Sequence, residues 1–398
     1  MKYLTTKQAL ADIPYFAKNF TRENLHDTDL TPKGSPWVMI GASYPGARSA
    51  LTRQEYPDTI FAAFASSAPV QARINMSSYH EQVYRGMVGD LLEPCIKYIQ
   101  PALEYIDDQL SNEETAAKIK QTFLGPGAEK NTNGDFAKAL SYIYGNFQDY
   151  GIGGGSGSVA DLCRHMETGP GLFSKSREVT DHPGNKILGE RLATWPALVE
   201  GINQAENTNC KGLDKSKPLA CELGKPQTTP DLISWFWQYC TEWGFCQINN
   251  FGPHALLSKY ETLEHEQAVC NCNFPTAVQS GTFPSKPQAD ALNAEFGGWT
   301  MRPSNVYWSG GEFDPWLSLT PFSTEDFAPQ GIQYTTDVPK CGVQTDEDTL
   351  FGWVMDRAVH AHDLKNDDDL AETSRGFFKK ALREWLPCHK KGGDDGSA

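Results

Sequence analysis

The chain of 398 residues is long enough for two domains, or for one domain that carries a large insertion. Its contents of hydrophobic residues (39%) and charged residues (21%) are those of a globular protein, and no apolar run approaches the roughly 20 residues of a membrane-spanning helix. The formal net charge of -15 disfavours nucleic acid or an anionic membrane surface as a partner.

Cysteine content and glycosylation signals both indicate an oxidising compartment. The chain has ten cysteines, and it carries N-glycosylation sequons at Asn19 and Asn75. Residues 1–16 nevertheless do not form a signal peptide, because they lack a continuous apolar segment and include Asp12 and Pro14. We therefore expect that an N-terminal part of the protein is absent from this chain.

The first elements of the chain are a helix and then a strand–helix–strand unit. Thr5 fits the N-cap of a capping box at the start of the first helix. Pro14 lies within the pattern of this helix and should kink or break it. Residues 37–40 predict a strand, residues 44–56 a helix and residues 61–70 a second buried strand. A strand, a helix and a strand in close order indicate a parallel βαβ unit.

The turn between the first strand and its helix carries Ser43. Gly41 and Gly46 flank this serine, and a serine at the apex of a strand–turn–helix is the nucleophile elbow of an α/β-hydrolase. The usual pattern is Gly-x-Ser-x-Gly, whereas Tyr44 and Pro45 place the second glycine one residue late. The turn therefore predicts a serine nucleophile, with one departure from the usual pattern.

The chain changes character over residues 77–297. Helical patterns predominate there, and most of the cysteines lie within these residues. The cysteine spacings lack the paired Cys-x-x-Cys of a zinc site, so we predict disulfides, with Cys210–Cys221 as a local pair. We interpret residues 77–297 as a largely helical, disulfide-rich insertion that follows the first part of a core, residues 1–76.

Strand character returns in the second part of the core, residues 298–388. An apolar strand runs into a turn that carries Asp314, and another leads to a loop that carries His360. Residues 369–386 predict an amphipathic terminal helix. Residues 389–398 are rich in Lys, Gly and Asp, and we predict that they are disordered.

Ser43, Asp314 and His360 supply the chemistry of a serine hydrolase. A serine hydroxyl attacks efficiently only when a base takes its proton, and a histidine oriented by a carboxylate is such a base. The three residues occur in the chain order of α/β-hydrolases, and each follows an apolar strand. The sequence leaves open two other acids and one other base, namely Glu312, Asp363 and His362.

Four motifs, in the correct order, resemble the proline-specific serine peptidase family. They are GASYPG (41–46), WFWQYCTEWGFCQ (235–247), SNVYWSGGEFDPW (304–316) and HAHDL (360–364). The family includes lysosomal Pro-Xaa carboxypeptidase, dipeptidyl peptidase II and the fungal acid prolyl endopeptidases. Its elbow is Gly-x-Ser-Tyr-x-Gly, which accounts for the displaced glycine. Residues 3–12 are similar to the segment just before the elbow, particularly in the fungal members.

The resemblance implies a serine-type peptidase that hydrolyses peptide bonds after proline through an acyl-enzyme intermediate. It implies proline-containing peptides or proteins as substrates, and no cofactor or metal. The fold it implies is an α/β-hydrolase core with a helical cap inserted between the strand after the elbow helix and the strand that leads to the acid.

The resemblance also assigns roles to individual residues. It makes Ser43 the nucleophile, Asp314 the acid and His360 the base. The backbone N–H of Tyr44 becomes one donor to the oxyanion. Substrate binding is assigned to Trp316, which should line the proline pocket, and to Gln238 and Glu242.

The front of the chain departs from the family pattern. Family members carry a signal peptide and several core strands ahead of the region that matches Tyr3. We therefore expect a truncated chain whose sheet is open on one flank and whose second oxyanion donor is missing. The family location is extracellular, lysosomal or vacuolar. The choice between endopeptidase, carboxypeptidase and dipeptidyl peptidase stays open, as do a lipase or esterase of the same fold and an inactive truncated fragment.

Overall fold

A computed structural model describes residues 1, 3–25, 27–168 and 184–389. The chain divides into two compact units. The first unit comprises Met1–Ile74, Trp237–Gly244 and Pro287–Ala398, and the second comprises Asn75–Phe236 and Phe245–Lys286. The domain boundaries expected from the sequence, before residue 77 and after residue 297, stay predictions. The tail expected to be disordered, 389–398, lies outside the described residues apart from His389.

The helices and strands have the following bounds in the described part of the chain. The helices are α1 (Thr6–Asn19), α2 (Tyr44–Glu55), α3 (Ser78–Gly89), α4 (Glu93–Leu110), α5 (Glu113–Leu124), α6 (Asn133–Leu140), α7 (Phe147–Tyr150), α8 (Val159–Thr168), α9 (Asn185–Ala193), α10 (Pro196–Ala205), α11 (Pro230–Gln238), α12 (Leu263–Asn273), α13 (Pro275–Gln279), α14 (Ala289–Phe296) and α15 (Asp369–Trp385). The strands are β1 (Trp37–Ala42), β2 (Ile60–Ser66), β3 (Arg73–Asn75), β4 (Gly244–Cys246), β5 (Val306–Gly311), β6 (Gln333–Thr335) and β7 (Thr349–Met355). None of these helices is long and apolar enough to cross a bilayer.

Helix α1 opens the first unit. Its N-cap is Thr5, as expected, and the Thr5 side chain accepts a hydrogen bond from the backbone N–H of Gln8. The helix continues through Pro14, so the expected break is wrong, whereas the alternative expectation of a kink stays a prediction. Pro14 lies on the buried face together with Leu10 and Ala17. Burial of this face offsets the roughly 3 kcal/mol that an interior proline costs a helix.

The first unit is built around a parallel sheet. Among the described strands, the order in this five-stranded sheet is β1-β2-β5-β7-β6, and every neighbouring pair is parallel. The βαβ unit expected from the sequence is present as β1, α2 and β2. Ala42 is level with Ser66 on the neighbouring strand, and Ser66 is level with Ser309. Since all strands run the same way, the residues that follow them meet at one edge of the sheet.

Helix α15 covers one face of this sheet and confirms the predicted terminal helix. It buries aromatic and small residues against strands β2, β5 and β7 in one cluster, which contains Ala62, Phe64, Tyr307, Phe351, Phe378, Ala381 and Trp385. A disulfide between Cys341 and Cys388 ties the chain just after α15 to the loop before β7. The sheet, α15 and the disulfide together give a mixed α/β unit that is consistent with an α/β-hydrolase.

Strand β1 forms one edge of the sheet in the described residues, and its outer side is apolar. Ile40 is 59% exposed. The Trp37 ring packs edge-on against Phe16 and Phe20, with ring centroids 5.9 and 5.6 Å away. Phe16 itself is half exposed, so this edge presents aromatic and aliphatic surface to solvent.

The second unit is largely helical and is cross-linked by disulfides. Cys95–Cys163 joins α4 to α8, and Cys210–Cys221 closes a short loop, which confirms the local pair predicted from the sequence. Across both units, the disulfide-bonded cysteines are Cys95, Cys163, Cys210, Cys221, Cys240, Cys270, Cys341 and Cys388. Cys272 is an exposed free thiol.

A group in the second unit, which we call the lysine–glutamate cluster, consists of the partly exposed Lys138 and the buried Glu261 and Glu266. The Lys138 ammonium lies 2.6 Å from Glu266 and 3.5 Å from Glu261. The Glu261 side chain is fully buried, and burial raises its pKa to about 8. His80 lies in the same unit, and burial lowers its pKa to about 3. Two buried carboxyl groups, Glu261 and Glu266, therefore share the ammonium of Lys138, whose side chain is 33% exposed.

Candidate active site

The nucleophile elbow expected from the sequence has a tightly constrained backbone. Ser43 lies between β1 and α2 with φ 60 and ψ -134, and its N–H donates to the Ser66 carbonyl at 2.9 Å. A Cβ on Gly41 would lie 2.2 Å from the Pro45 carbonyl oxygen, and one on Gly46 would lie 2.6 Å from that of Ser66. Both glycines are therefore required by close backbone contacts, including the glycine that the sequence places one residue late.

His360 and Asp314 meet at the carboxyl edge of the sheet. Asp314 follows β5 and His360 follows β7, and the His360 Nδ1 lies 2.8 Å from the Asp314 Oδ1. The side chains are 5% and 0% exposed. A carboxylate only accepts hydrogen bonds, so Nδ1 carries the proton and Nε2 of the neutral ring is an acceptor. Nε2 is buried and has no hydrogen-bond partner among the described residues.

The alternative acids and the alternative base make other contacts. The Glu312 carboxylate accepts the backbone N–H of Arg357 at 2.8 Å. His362 Nε2 lies 3.1 Å from a carboxylate oxygen of Asp368. The hydroxyls of serines surround Asp363, which is buried. Among the candidates, the geometry therefore pairs Asp314 with His360.

Sequence reasoning considered Asp363 only as a rival acid and missed its contacts. Its carboxylate accepts hydrogen bonds from Ser66, Ser309 and Ser374. The first two of these serines lie near the carboxyl ends of apolar strands, where a hydroxyl has few other partners. A serine at such a position could have indicated a buried hydrogen-bond partner. Only the strand register, however, shows that Ser66 and Ser309 are neighbours.

Tyr44, the proposed oxyanion donor, also contacts Gln238. The Tyr44 hydroxyl donates to Oε1 of Gln238 at 2.5 Å. Burial raises the pKa of Tyr44 to about 12, which keeps the phenol protonated as a donor. The Tyr44 ring also packs edge-on against Trp243, with centroids 5.7 Å apart. Gln238, predicted to bind substrate, thus lies beside the residue that follows Ser43.

Glu242 lies in a π-helical turn, Tyr239–Trp243, and contacts the start of α1. One carboxylate oxygen accepts the backbone N–H and the hydroxyl of Thr6, at 2.8 and 2.7 Å. A carboxylate at a helix N-terminus also interacts favourably with the helix dipole. Glu242 therefore has a structural contact in addition to the role in substrate binding predicted for it.

Trp316 lies next to the imidazole of His360. Its ring centroid is 6.3 Å from that of His360, and the residue is 7% exposed. Its backbone N–H donates to Asp314 Oδ1 at 2.8 Å, so the same oxygen accepts from both residues. An indole at this position provides apolar surface beside the acid and the base.

The two predicted glycosylation sites lie at the ends of elements. Asn19 is the last residue of α1, is exposed, and donates from its side chain to the Tyr15 carbonyl at 2.7 Å. Asn75 is the last residue of β3 and is half-buried, and its side-chain oxygen accepts the N–H of Ser77 at 2.9 Å. Their glycosylation stays a prediction.

Comparison with known proteins identifies the family. The family described as serine carboxypeptidase S28 matches residues 1–333, and the chain belongs to this family. The serine peptidase family inferred from the motifs is thereby confirmed.

Relatives of the chain are named as serine proteases and carboxypeptidases. The chain is 38% identical over 342 residues to a putative serine protease of Caenorhabditis elegans, covering 81% of this chain and 59% of that protein. It is 26% identical over 421 residues to a probable extracellular serine carboxypeptidase of Arthroderma benhamiae, covering 98% and 55%. It is 27% identical over 339 residues to human thymus-specific serine protease, covering 80% and 60%. The chain thus spans 55 to 60% of the length of these relatives.

Proposed function

We propose that the protein is a serine-type peptidase that hydrolyses peptide bonds after proline through an acyl-enzyme intermediate. The observation that carries this proposal is the pair of His360 and Asp314, whose 2.8 Å contact leaves a buried imidazole nitrogen as acceptor. The strained elbow at Ser43, on the same edge of the sheet, supports it. Membership of the S28 family supports peptide substrates.

In the first half of the proposed reaction, Ser43 Oγ attacks the carbonyl carbon of the scissile bond while His360 Nε2 takes its proton. Asp314 holds the ring in the required tautomer and stabilises the imidazolium. The Tyr44 backbone N–H donates to the oxyanion of the tetrahedral intermediate. Collapse of this intermediate breaks the C–N bond, and the imidazolium gives its proton to the leaving amine.

In the second half, water attacks the ester carbon of the acyl-enzyme. His360 takes a proton from this water, and the new tetrahedral intermediate collapses. The ester C–O bond breaks, Ser43 recovers its proton from the imidazolium, and the carboxylic acid product leaves. Each proton thus enters and leaves through the same nitrogen.

The preference for proline and the domain arrangement are part of the same proposal. Trp316 offers apolar surface beside His360, which suits a pyrrolidine ring better than a charged side chain. Gln238 and Glu242 are proposed to bind substrate. We further propose that residues 77–297 form a helical cap inserted into an α/β-hydrolase core, and that the protein is secreted, lysosomal or vacuolar.

A fluorophosphonate probe tests the nucleophile. The serine oxygen displaces fluoride from the probe and becomes covalently labelled. We expect labelling of the wild-type chain and none of Ser43→Ala, whereas Ser280→Ala, which removes an exposed serine of the second unit, should label normally. Absence of labelling in the wild type would indicate an inactive chain.

Three substrates then test specificity, namely a blocked Xaa-Pro-chromophore, a peptide ending in Pro-Phe and a free Xaa-Pro-chromophore. Cleavage of one of them identifies the protein as an endopeptidase, a carboxypeptidase or a dipeptidyl peptidase, respectively. Rapid turnover of simple esters without any preference for proline would support a lipase or esterase instead.

A further inference from the structure

Asp363 is three residues beyond His360 in the loop that carries the proposed base. We propose that Asp363 is a positioning residue, which fixes His360 by anchoring this loop to the sheet and to α15. The inference rests on the proposed function, because it assigns Asp363 a role in the reaction of His360. It adds a second buried carboxylate to the one that contacts the imidazole directly.

The first step of the argument is the set of contacts around the Asp363 carboxylate. The side chain is completely buried. Oδ1 accepts a hydrogen bond from the hydroxyl of Ser66. Oδ2 accepts one from the hydroxyl of Ser309 and a longer one, of 3.3 Å, from Ser374. Each of the two oxygens is therefore held from a defined direction.

The second step is the origin of these donors. Ser66 ends β2, Ser309 belongs to β5 and Ser374 belongs to α15, and all three residues are buried. The Tyr307 hydroxyl lies 3.0 Å from the Ser374 hydroxyl and can donate to it, so that Ser374 donates onward to Asp363. One carboxylate thus joins two adjacent strands and the helix that covers them.

The third step connects Asp363 to His360. The N–H of Ala361, the residue between them that has φ 51, donates to the Ser67 hydroxyl at 2.9 Å. On the other side of His360, the Ala358 carbonyl accepts the N–H of Phe313 at 2.9 Å. Hydrogen bonds therefore hold the short loop on both sides of His360, at Ala358 before it and at Ala361 after it. Without the side-chain contacts of Asp363, the hydrogen bonds from the Ala361 N–H to Ser67 and from Arg375 to the Asp363 carbonyl would remain, so His360 would be held less firmly rather than released.

A carboxylate fits this site better than an amide. Each carboxylate oxygen of Asp363 accepts a hydrogen bond from a serine hydroxyl. In Asn, one of these oxygens is replaced by an NH₂ group, which donates and cannot accept the hydrogen bond that the serine now donates. At least one of the two strand serines would have to turn its hydrogen away. Asp363→Asn keeps the volume of the side chain and removes only this match, so it tests position rather than packing.

The experiment compares Asp363→Asn with Asp356→Asn, which makes the same change of charge at an exposed residue just after β7. Active sites are first titrated to completion with the fluorophosphonate probe, so that kcat refers only to correctly folded molecules. For Asp363→Asn we expect kcat per titrated site to fall by up to about 100-fold, the scale of a misplaced catalytic group. KM should change little, and Asp356→Asn should match the wild type.

A purely structural role would lower the number of titrated sites without changing kcat per site, and that result would overturn the inference. A second readout does not depend on turnover. In protein labelled with ¹⁵N-histidine, the His360 Nδ1–H proton that faces Asp314 gives a low-field signal. We expect Asp363→Asn to shift or broaden this signal, and an unchanged signal would also contradict the inference.

The two proposals fail in different ways. If the wild-type chain is not labelled by the probe, the proposed function fails, whereas the histidine signal still reports on the position of His360. If labelling is normal and depends on Ser43, but Asp363→Asn has wild-type kcat and a wild-type histidine signal, only the role of Asp363 is wrong.

Discussion

The two units bury carboxylates in contrasting ways. In the first unit, Asp314 and Asp363 are held by directional hydrogen bonds from an imidazole, a backbone N–H and serine hydroxyls. In the second unit, Glu261 and Glu266 share the ammonium of Lys138, and neither carboxylate oxygen of Glu261 has a hydrogen-bond partner among the described residues.

The contrast separates two uses of buried charge. Directional donors fix where a carboxylate lies, which suits a group that must orient a base. A shared ammonium compensates charge without fixing position, and it leaves one carboxyl group that gains a proton easily. We therefore expect changes in the first unit to alter catalysis, and changes in the second unit to alter stability and its dependence on pH.

The largest effect is expected for Asp314→Asn. The amide N–H of Asn can donate to Nδ1 of His360, whereas Nδ1–H now donates to Asp314. The imidazole would then carry its proton on Nε2, which is the wrong tautomer for a base. We expect kcat to fall by about 10⁴-fold, as when the acid of a serine triad is replaced by its amide. Steady-state kinetics with the best peptide substrate measures this loss. Glu312→Gln, which changes the neighbouring acid, should leave kcat near the wild-type value, and an equal loss in both variants would refute the assignment.

The next effect is expected for Lys138→Met. Removal of the ammonium leaves the buried Glu266 carboxylate without its counter-charge, and the free energy of unfolding should fall by about 1–3 kcal/mol, because the Lys138 side chain is itself partly exposed. Urea denaturation followed by circular dichroism measures the change. The matched control is Lys118→Met, since Lys118 pairs with Glu114 at 2.5 Å while both side chains are mostly exposed. That pair should contribute only about 0–1 kcal/mol, and equal losses in the two variants would remove the contrast.

The smallest expected effect is the change of the free energy of unfolding with pH. Burial raises the pKa of Glu261 to about 8, above its ordinary value, so its contribution to stability is present at acidic pH and lost as pH rises toward 8. Burial lowers the pKa of His80 to about 3, so its contribution is present above the ordinary histidine pKa and lost as pH falls toward 3. Between about pH 4.5 and 6.5 the two trends oppose each other, and we expect a plateau of stability there.

Denaturation midpoints measured from pH 3 to pH 9 test this plateau. Glu261→Gln should remove the decline on the alkaline side and leave the acid side unchanged. His80→Gln should do the reverse. A wild-type profile that rises steadily from pH 5 to pH 8 would be the opposite of the expected sign.

Local features of the fold could be predicted from the sequence. The elbow at Ser43 is defined by neighbouring residues, and the Cys210–Cys221 disulfide closes a loop with a sequence separation of only 11. The Cys95–Cys163 disulfide, with a separation of 68, could not be paired in this way. The break expected at Pro14 failed because tertiary packing overrides local propensity.

The candidate site shows the same limit. The order of Ser43, Asp314 and His360 suggested their roles, but the choice of Asp314 over its rivals depends on a contact between residues 46 positions apart. The surroundings of Asp363 depend on serines from two strands and a helix, which only the register of the sheet brings together. No local pattern around Asp363 records those contacts.

The disulfide between Cys341 and Cys388 has a covalent consequence for the proposed base. It closes a ring that contains β7, His360, Asp363 and α15, while Ser43 lies outside it. Residues 342–348 within the ring are mostly exposed and suit attack by a protease. A nick there would leave both pieces joined, so the oxidised protein would run as one band on a non-reducing gel and as two after reduction. In the nicked chain, the disulfide would therefore keep the fragment that contains His360 covalently attached to the fragment that contains Ser43.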